Sequence, residues 1–295
     1  MARWVSFIVA IVLSFCAASA NAQSKALAED LASKDDRGFI VGLLEDALGG
    51  EGRIVRVDGF QGALSKTATI QRMTIADDEG VWFTLDDVRL RWTRSALLRG
   101  QIDVQKLSAP TLTLARTPIP SENALPSSEA TGFSLPNLPV SVSIALMRID
   151  RISLGRPILG EAAEMTLEAR ADLANGSGST SLRATRTDGK QGSFVIDASY
   201  DAESQMAAID VDLTEASGGI AARMLNLPRR PDLELTISGA GNINDLVTTL
   251  SLKTEGIQRL DGQVALQGNT DAGRAFSLDF TGDLTALLSP EYHAF

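Results

Sequence analysis

The chain has 295 residues, 44% of them hydrophobic and 22% charged, with a net charge of −10. That acidity disfavours nucleic acid and any broad electrostatic hold on anionic lipid head groups. One cysteine and one histidine leave no internal disulfide, no zinc–thiolate site and no histidine-based triad to build.

Residues 1–22 read as a targeting segment. Arg3 supplies a positive start, Trp4 to Ala18 is an almost unbroken apolar run, and Ala20-Asn21-Ala22 before Gln23 fits small-x-small cleavage. A membrane span needs about 20 apolar residues. The run therefore suits a cleaved signal peptide, with retention as an N-terminal inner-membrane anchor the alternative. Cys16 lies inside it behind bulky Phe15, which argues against a lipoprotein signal. Without residues 1–22 the chain keeps 26 of its 27 basic residues against 37 acidic ones. Such a balance suits a soluble periplasmic body held by burial alone.

Residues 23–50 form a helical cap. Asp35 and Asp36 are placed to cap a helix in which Phe39, Ile40, Leu43, Leu44, Ala47 and Leu48 recur at helical spacing, and Gly49-Gly50 ends it. The stripe invites a membrane-surface reading, but the polar side carries Glu45 and Asp46 and no lysine. A plug over an exposed sheet edge is the better reading.

Alternation of period two then takes over in residues 51–116. Ile70, Met73 and Ile75 give an imperfect run, and Asp77-Asp78-Glu79-Gly80 makes a turn of solvated charge. Val81, Phe83 and Leu85 point one way, and Val88, Leu90 and Trp92 form a second register. Asp86-Asp87 marks the switch, because one extra residue flips every later side chain. A short helical turn at Ser95-Ala96-Leu97-Leu98 precedes Ile102, Val104, Leu112 and Leu114. Residues 117–139 hold five prolines among Ser, Glu and Asn and read as a linker between two sheet segments.

The second segment, 140–295, continues strand after strand. Phe194-Ile196-Ala198-Tyr200, Ile209-Val211-Leu213, Leu233-Leu235-Ile237 and Phe276-Leu278-Phe280 carry the clearest alternation. Asn175-Gly176 and Asn269 to Gly273 read as turns. Gly218 to Asn226 reads as a short helix stopped by Leu227-Pro228. Gly239-Ala240-Gly241-Asn242 lacks the third glycine and the βαβ setting of a dinucleotide loop and reads as a turn. The class is mainly β, with no βαβ rhythm.

Chemistry is mostly absent. His293 stands three residues from the end, and the Asp77-Asp78-Glu79 spacing does not match a calcium loop. Neither a catalytic constellation nor a cofactor or metal site is expected. An outer-membrane barrel also alternates, but two tyrosines and three tryptophans are too few for aromatic girdles.

The segments GGEGRIVRVDGFQG (49–62), ALSKTATIQRMTIADDEGVWFTLDDVRLRW, ALLRGQIDV and KLSAPTLTLARTP, with TDGKQGSFVIDASYD, EASGGIAARMLNLP and LSPEYHAF further on, resemble the N-terminal part of the TamB family. Its members are the inner-membrane subunits of the bacterial translocation and assembly module and are similar to the AsmA-like group. The resemblance implies an elongated, curled antiparallel sheet, a β-taco groove with an apolar interior. It implies an inner-membrane anchor, an outer-membrane barrel partner of the TamA/BamA type, and delivery of phospholipid or outer-membrane proteins. Val81, Phe83, Leu85, Val88, Leu90, Trp92, Ile102, Val104, Leu112 and Leu114 would line the groove and hold phospholipid acyl chains. Family members are much longer, so a truncated chain is implied too. Three functional readings stand: a lipid-conducting groove, a scaffold offering sheet edges to barrel precursors, and an exported structural or adhesive β-protein with a closed core.

Overall fold

Thirteen strands lie side by side in the order in which the chain makes them. The computed structural model describes residues 45, 52–62, 65–97, 99–119, 141–269, 273–283 and 287. The targeting segment with Ala20, Ala22 and Gln23, most of the helical cap and most of the 117–139 linker lie outside the described residues. The strands are β1 (Ile54–Asp58), β2 (Thr67–Asp77), β3 (Gly80–Trp92), β4 (Gln101–Leu114), β5 (Ser141–Leu154), β6 (Ala163–Ala174) and β7 (Ser177–Arg186). Then come β8 (Gly192–Asp201), β9 (Met206–Glu215), β10 (Leu233–Asn242), β11 (Asp245–Thr254), β12 (Ile257–Asn269) and β13 (Gly273–Thr281). Three single-turn helices interrupt them: α1 (Arg94–Leu97), α2 (Arg156–Leu159) and α3 (Ile220–Met224). The sheet is open, with β1 and β13 at its edges.

Tight hairpins make most of the connections. Asn175 and Gly176, and Glu255 and Gly256, each occupy both central positions of a turn at positive φ. That backbone matches the right-handed twist of paired strands. Two expectations are corrected. Gly239 to Asn242 is not a turn but the end of β10, paired with Ile209 to Met206 of β9. The sheet is also not wholly antiparallel, because β4 and β5 run parallel, Gln101 beside Ser141 through Leu114 beside Leu154. A parallel pair needs a crossover of about a dozen residues or more, and the proline-rich stretch after β4 provides one. The two segments are thus one continuous sheet.

One face of every strand is apolar, yet strict alternation fails at one level across the first five strands. Inward side chains there are three residues apart instead of two: Val57 and Phe60, Ile70 and Met73, Leu85 and Val88, Ala109 and Leu112, Ile149 and Ile152. The registers put these breaks side by side, Asp58 opposite Arg72, Arg72 opposite Asp86, Asp86 opposite Thr111 and Thr111 beside Arg151. Gly59 (φ 66°) and Asp87 (φ 51°) take left-handed backbone at this crease. A side chain at Gly59 would place its Cβ 2.5 Å from that of Gln71. Pro110, which cannot donate to a ladder, sits at the break where no bond is asked of it. Register shifts between β5 and β6 absorb the crease, and β6 alternates without interruption.

Side chains from β1 to β7, with Phe60, form one buried cluster that includes Met73, Phe83, Leu85, Val88, Leu112, Ile149 and Leu182. Each such side chain contributes about 1.5–3 kcal/mol by leaving water. Edge strand β1 is covered at one point by Glu45, a helical residue whose carboxylate accepts from the Val57 N–H at 3.1 Å. Leu85→Ala is expected to lower urea-unfolding stability by about 2–5 kcal/mol. Phe276→Ala, on exposed β13, should stay within about 0.5 kcal/mol of the parent.

Candidate functional site

From β6 onwards the apolar face is built of rows that cross the strands. One runs Leu167, Ala184, Phe194, Leu213, Leu235, Leu252, Leu260, each opposite the next. The row above it runs Ala169, Leu182, Ile196, Val211, Ile237, Leu250 and, after Gly262, Phe280. Period-two sequence and unshifted register produce these rows without any special contact. The opposite face is polar, and a hollow on it is bordered by Arg170, Asp172, Asp197 and Asp210.

Cover over the apolar face changes along the sheet. In β2 to β7 its side chains are mostly buried, whereas Ile196, Val211, Ile237 and Leu250 are half-buried. On β13, Phe276 is 71% and Leu278 67% exposed. The face passes from a closed core to an open surface within one sheet.

The two rims differ. We call the rim holding the Asp77–Gly80 turn, α2 and α3 the near rim; the far rim holds α1 and the hairpins after β6, β8, β10 and β12. On the near rim, Leu159, Ala163 and Ile220 pack α2 against α3. Pro157 starts α2, and Gly160 (φ 76°) ends it where a Cβ would lie 2.5 Å from the Arg223 guanidinium. Glu215 accepts from the N–H groups of Ala221 (3.0 Å) and Ala222 (2.6 Å), meeting the otherwise unpaired start of α3.

Charge replaces hydrocarbon where the rows meet this rim. Arg186 stands opposite Met165 with its side chain fully buried, donating to Asp188 (2.6 and 3.1 Å) and Glu161 (3.3 Å). Lys190 donates to both Glu161 oxygens at 2.9 Å. Burial resists the Glu161 charge, but Lys190 and Arg186 outweigh it and hold the carboxyl below its ordinary value. A lone buried charge would be costly, so the network stands as a unit.

Asp77 is the second charged lock. The sequence reads it as solvated turn charge; instead it is buried and held bidentately by Arg116, with N–H groups of Glu79 and Ile119 donating at 3.0 Å. Its partner lies 39 residues away, which is why the turn's composition does not reveal it. The Arg116 hydrogen bonds hold the Asp77 carboxyl far below the usual carboxylate range, against the opposing effect of burial.

Of the expected groove residues, Phe83, Leu85, Val88, Val104 and Leu112 are in the buried cluster, and Leu90, Ile102 and Leu114 pack against it. Trp92 is buried, its indole N–H donating to the Ser65 carbonyl at 3.2 Å. Val81 is the correction: it is 50% exposed. A register shift after Ile75 gives β3 an extra residue, and Trp82 turns in beside Phe83 in its place, ring centroids 6.0 Å apart. The accessible part of the face is not on β3 and β4 but on β8 to β13, beyond the buried cluster that Leu213, Leu233 and Leu252 make with Ala222 and Leu227 at the near rim. Among the described residues no helix is long and apolar enough to cross a membrane. No protein-family model, no curated protein and no solved structure matches the chain.

A depressed carboxylate stabilises fully above its unfolded pKa, about 3.9 for Asp, and loses that contribution as pH falls through its folded value. Asp77→Asn is therefore expected to melt lower than the parent at neutral pH and to show a weaker loss below about pH 4. Parallel acid melting curves for the two proteins would mean that the Asp77–Arg116 pair contributes nothing.

Proposed function

We propose that this chain is a non-enzymatic component of outer-membrane biogenesis, a periplasmic β-groove of the TamB and AsmA-like kind that carries phospholipid acyl chains. The observation that carries the reading is the open part of the apolar face, from Phe194 on β8 to Phe276 and Leu278 on β13. An acidic chain that leaves such a face accessible has a reason to shield something apolar with it. A buried methylene contributes about 0.8 kcal/mol, so about ten methylenes laid on the rows would be held by roughly 8 kcal/mol before ordering costs. Curling of the sheet around the chains would complete the shielding. The targeting segment, as signal or retained inner-membrane anchor, would put the body in the periplasm. An outer-membrane barrel of the TamA/BamA type is the partner this reading assigns.

Among the described residues β13 is an edge of the sheet, which favours a complementary role in protein handling. An exposed strand flanked by Phe276 and Leu278 can accept an incoming strand through backbone hydrogen bonds. An exported structural or adhesive protein is the competing reading, and the closed cluster of β1 to β7 favours it.

Mass spectrometry of lipid extracted from the purified full chain tests the groove. Phospholipid at about one molecule per chain is expected, lost in Ile237→Asp on the apolar face and kept in Thr236→Asp on the polar face. Lipid-free parent protein, or equal retention in both variants, would remove the lipid-carrying role and leave the competing reading.

A further inference from the structure

The segment that holds α3 on the near rim, with its flanking loops, carries basic residues and no acidic ones. From Ala216 to Pro231 there are three arginines and no acidic residue, in a chain of 37 acidic residues. The loop is built, not slack. Leu227 is buried and its N–H donates to the Ala222 carbonyl at 2.9 Å. Arg230 bonds back to the Leu227 carbonyl through its N–H at 3.2 Å and accepts from Gly218 at 2.7 Å. With Leu227 drawn inward, Met224 and Leu225 are turned outward, 42% and 41% exposed. Arg229 (φ 59°) and Arg230 (φ 48°) adopt left-handed backbone and are both exposed. Among the described residues no ion pair engages either side chain. On one side along the rim, Lys190 donates to the Gly218 carbonyl at 3.5 Å; on the other, the next turn presents Ile257, 53% exposed, with Glu255 paired to Arg259 at 3.5 Å.

Two outward apolar side chains beside unpaired arginines are the ingredients of an interfacial contact. Hydrocarbon enters the head-group layer and guanidinium groups meet phosphates. A protein partner of acidic surface would use the arginines but would have no equal use for both Met224 and Leu225. We propose that the α3 loop, Arg223 to Arg230, docks the near rim on an anionic phospholipid bilayer. Met224 and Leu225 insert, and Arg229 and Arg230 bind the phosphates. The overall negative charge of the protein makes this hold local, confined to a stretch without carboxylates between Glu215 and Asp232. It does not rest on the groove, because none of these residues belongs to the rows of the apolar face.

The test reads the loop itself, so an N-terminal segment that also binds vesicles does not obscure it. The full chain with Cys16→Ser carries one new cysteine, Leu225→Cys or, independently, Met224→Cys, labelled with a polarity-sensitive dye. Met206→Cys on the far rim is the control. Vesicles are phosphatidylcholine alone or with roughly one third phosphatidylglycerol. The expected result is brighter, blue-shifted emission at 224 and 225 on the anionic vesicles only, weakened by salt, with position 206 unchanged. Arg229→Ala and Arg230→Ala should each raise the lipid concentration at half-signal roughly five-fold. Silent labels at 224 and 225, an equal response on phosphatidylcholine alone, or an equal response at 206 would overturn the proposal.

Discussion

Side-chain parity is the constraint on which this sheet depends. Each strand must present its hydrocarbon to the same face as its neighbours, and a slip of one residue sends charge inward and hydrocarbon outward. At the crease, a strand that kept strict alternation beside one that broke it would turn its own Asp or Arg toward the core. Burying such a charge unpaired costs more than any single apolar contact returns. The break is therefore shared by β1 to β5 at one level, from Asp58-Gly59 to Asp150-Arg151. It ends where β5 takes up extra residues against β6. Gly59, Asp87 and Pro110 are local consequences of a collective requirement.

Beyond the crease, the same alternation yields a different product. In β1 to β7 the apolar side chains pack on each other with aromatic and branched residues, and the cluster supplies the stability of the fold. In β8 to β13 the pattern is as regular, but Ala198, Gly239, Ala207 and Gly241 thin the rows toward the far rim, and cover falls away. The first half is held by that cluster; the second is held near α3 by Leu213, Leu233 and Leu252 and presents hydrocarbon toward β13. At the near rim, the charged locks of Arg186 with Glu161 and Asp188, and of Asp77 with Arg116, stand beside the apolar packing of α2 and α3.

Much of this was legible in the sequence, and the misses have physical causes. Period two gave the strands, and Asp86-Asp87 gave the crease in β3, because a local pattern carries both. Gly239 to Asn242 misled, since glycine marks close backbone approach inside a strand as well as turns. Val81 misled because the extra residue is counted against Ala76 on another strand. Helix α2 had its signals, Pro157 near the start and Gly160 after the end, but one turn is too short for periodicity to show. The parallel β4–β5 pair and the Asp77–Arg116 bond join distant segments and leave no local trace. Alternation also names an apolar face without saying what covers it. For that reason the expected lining residues fall on β3 and β4, where the face is closed.

The single parallel neighbour has a further effect on how the protein can be held. Thirteen strands joined only by hairpins would begin at one rim and finish at the other. Running β5 alongside β4 cancels that count, so Ile54 and Thr281 both lie at the near rim, with the α3 loop between them. Force applied through Ile54, through Thr281 or through the loop would act on the same rim. Strands pulled apart from one rim part bond by bond instead of shearing together, so the far rim, made largely of hairpins, would carry the load last.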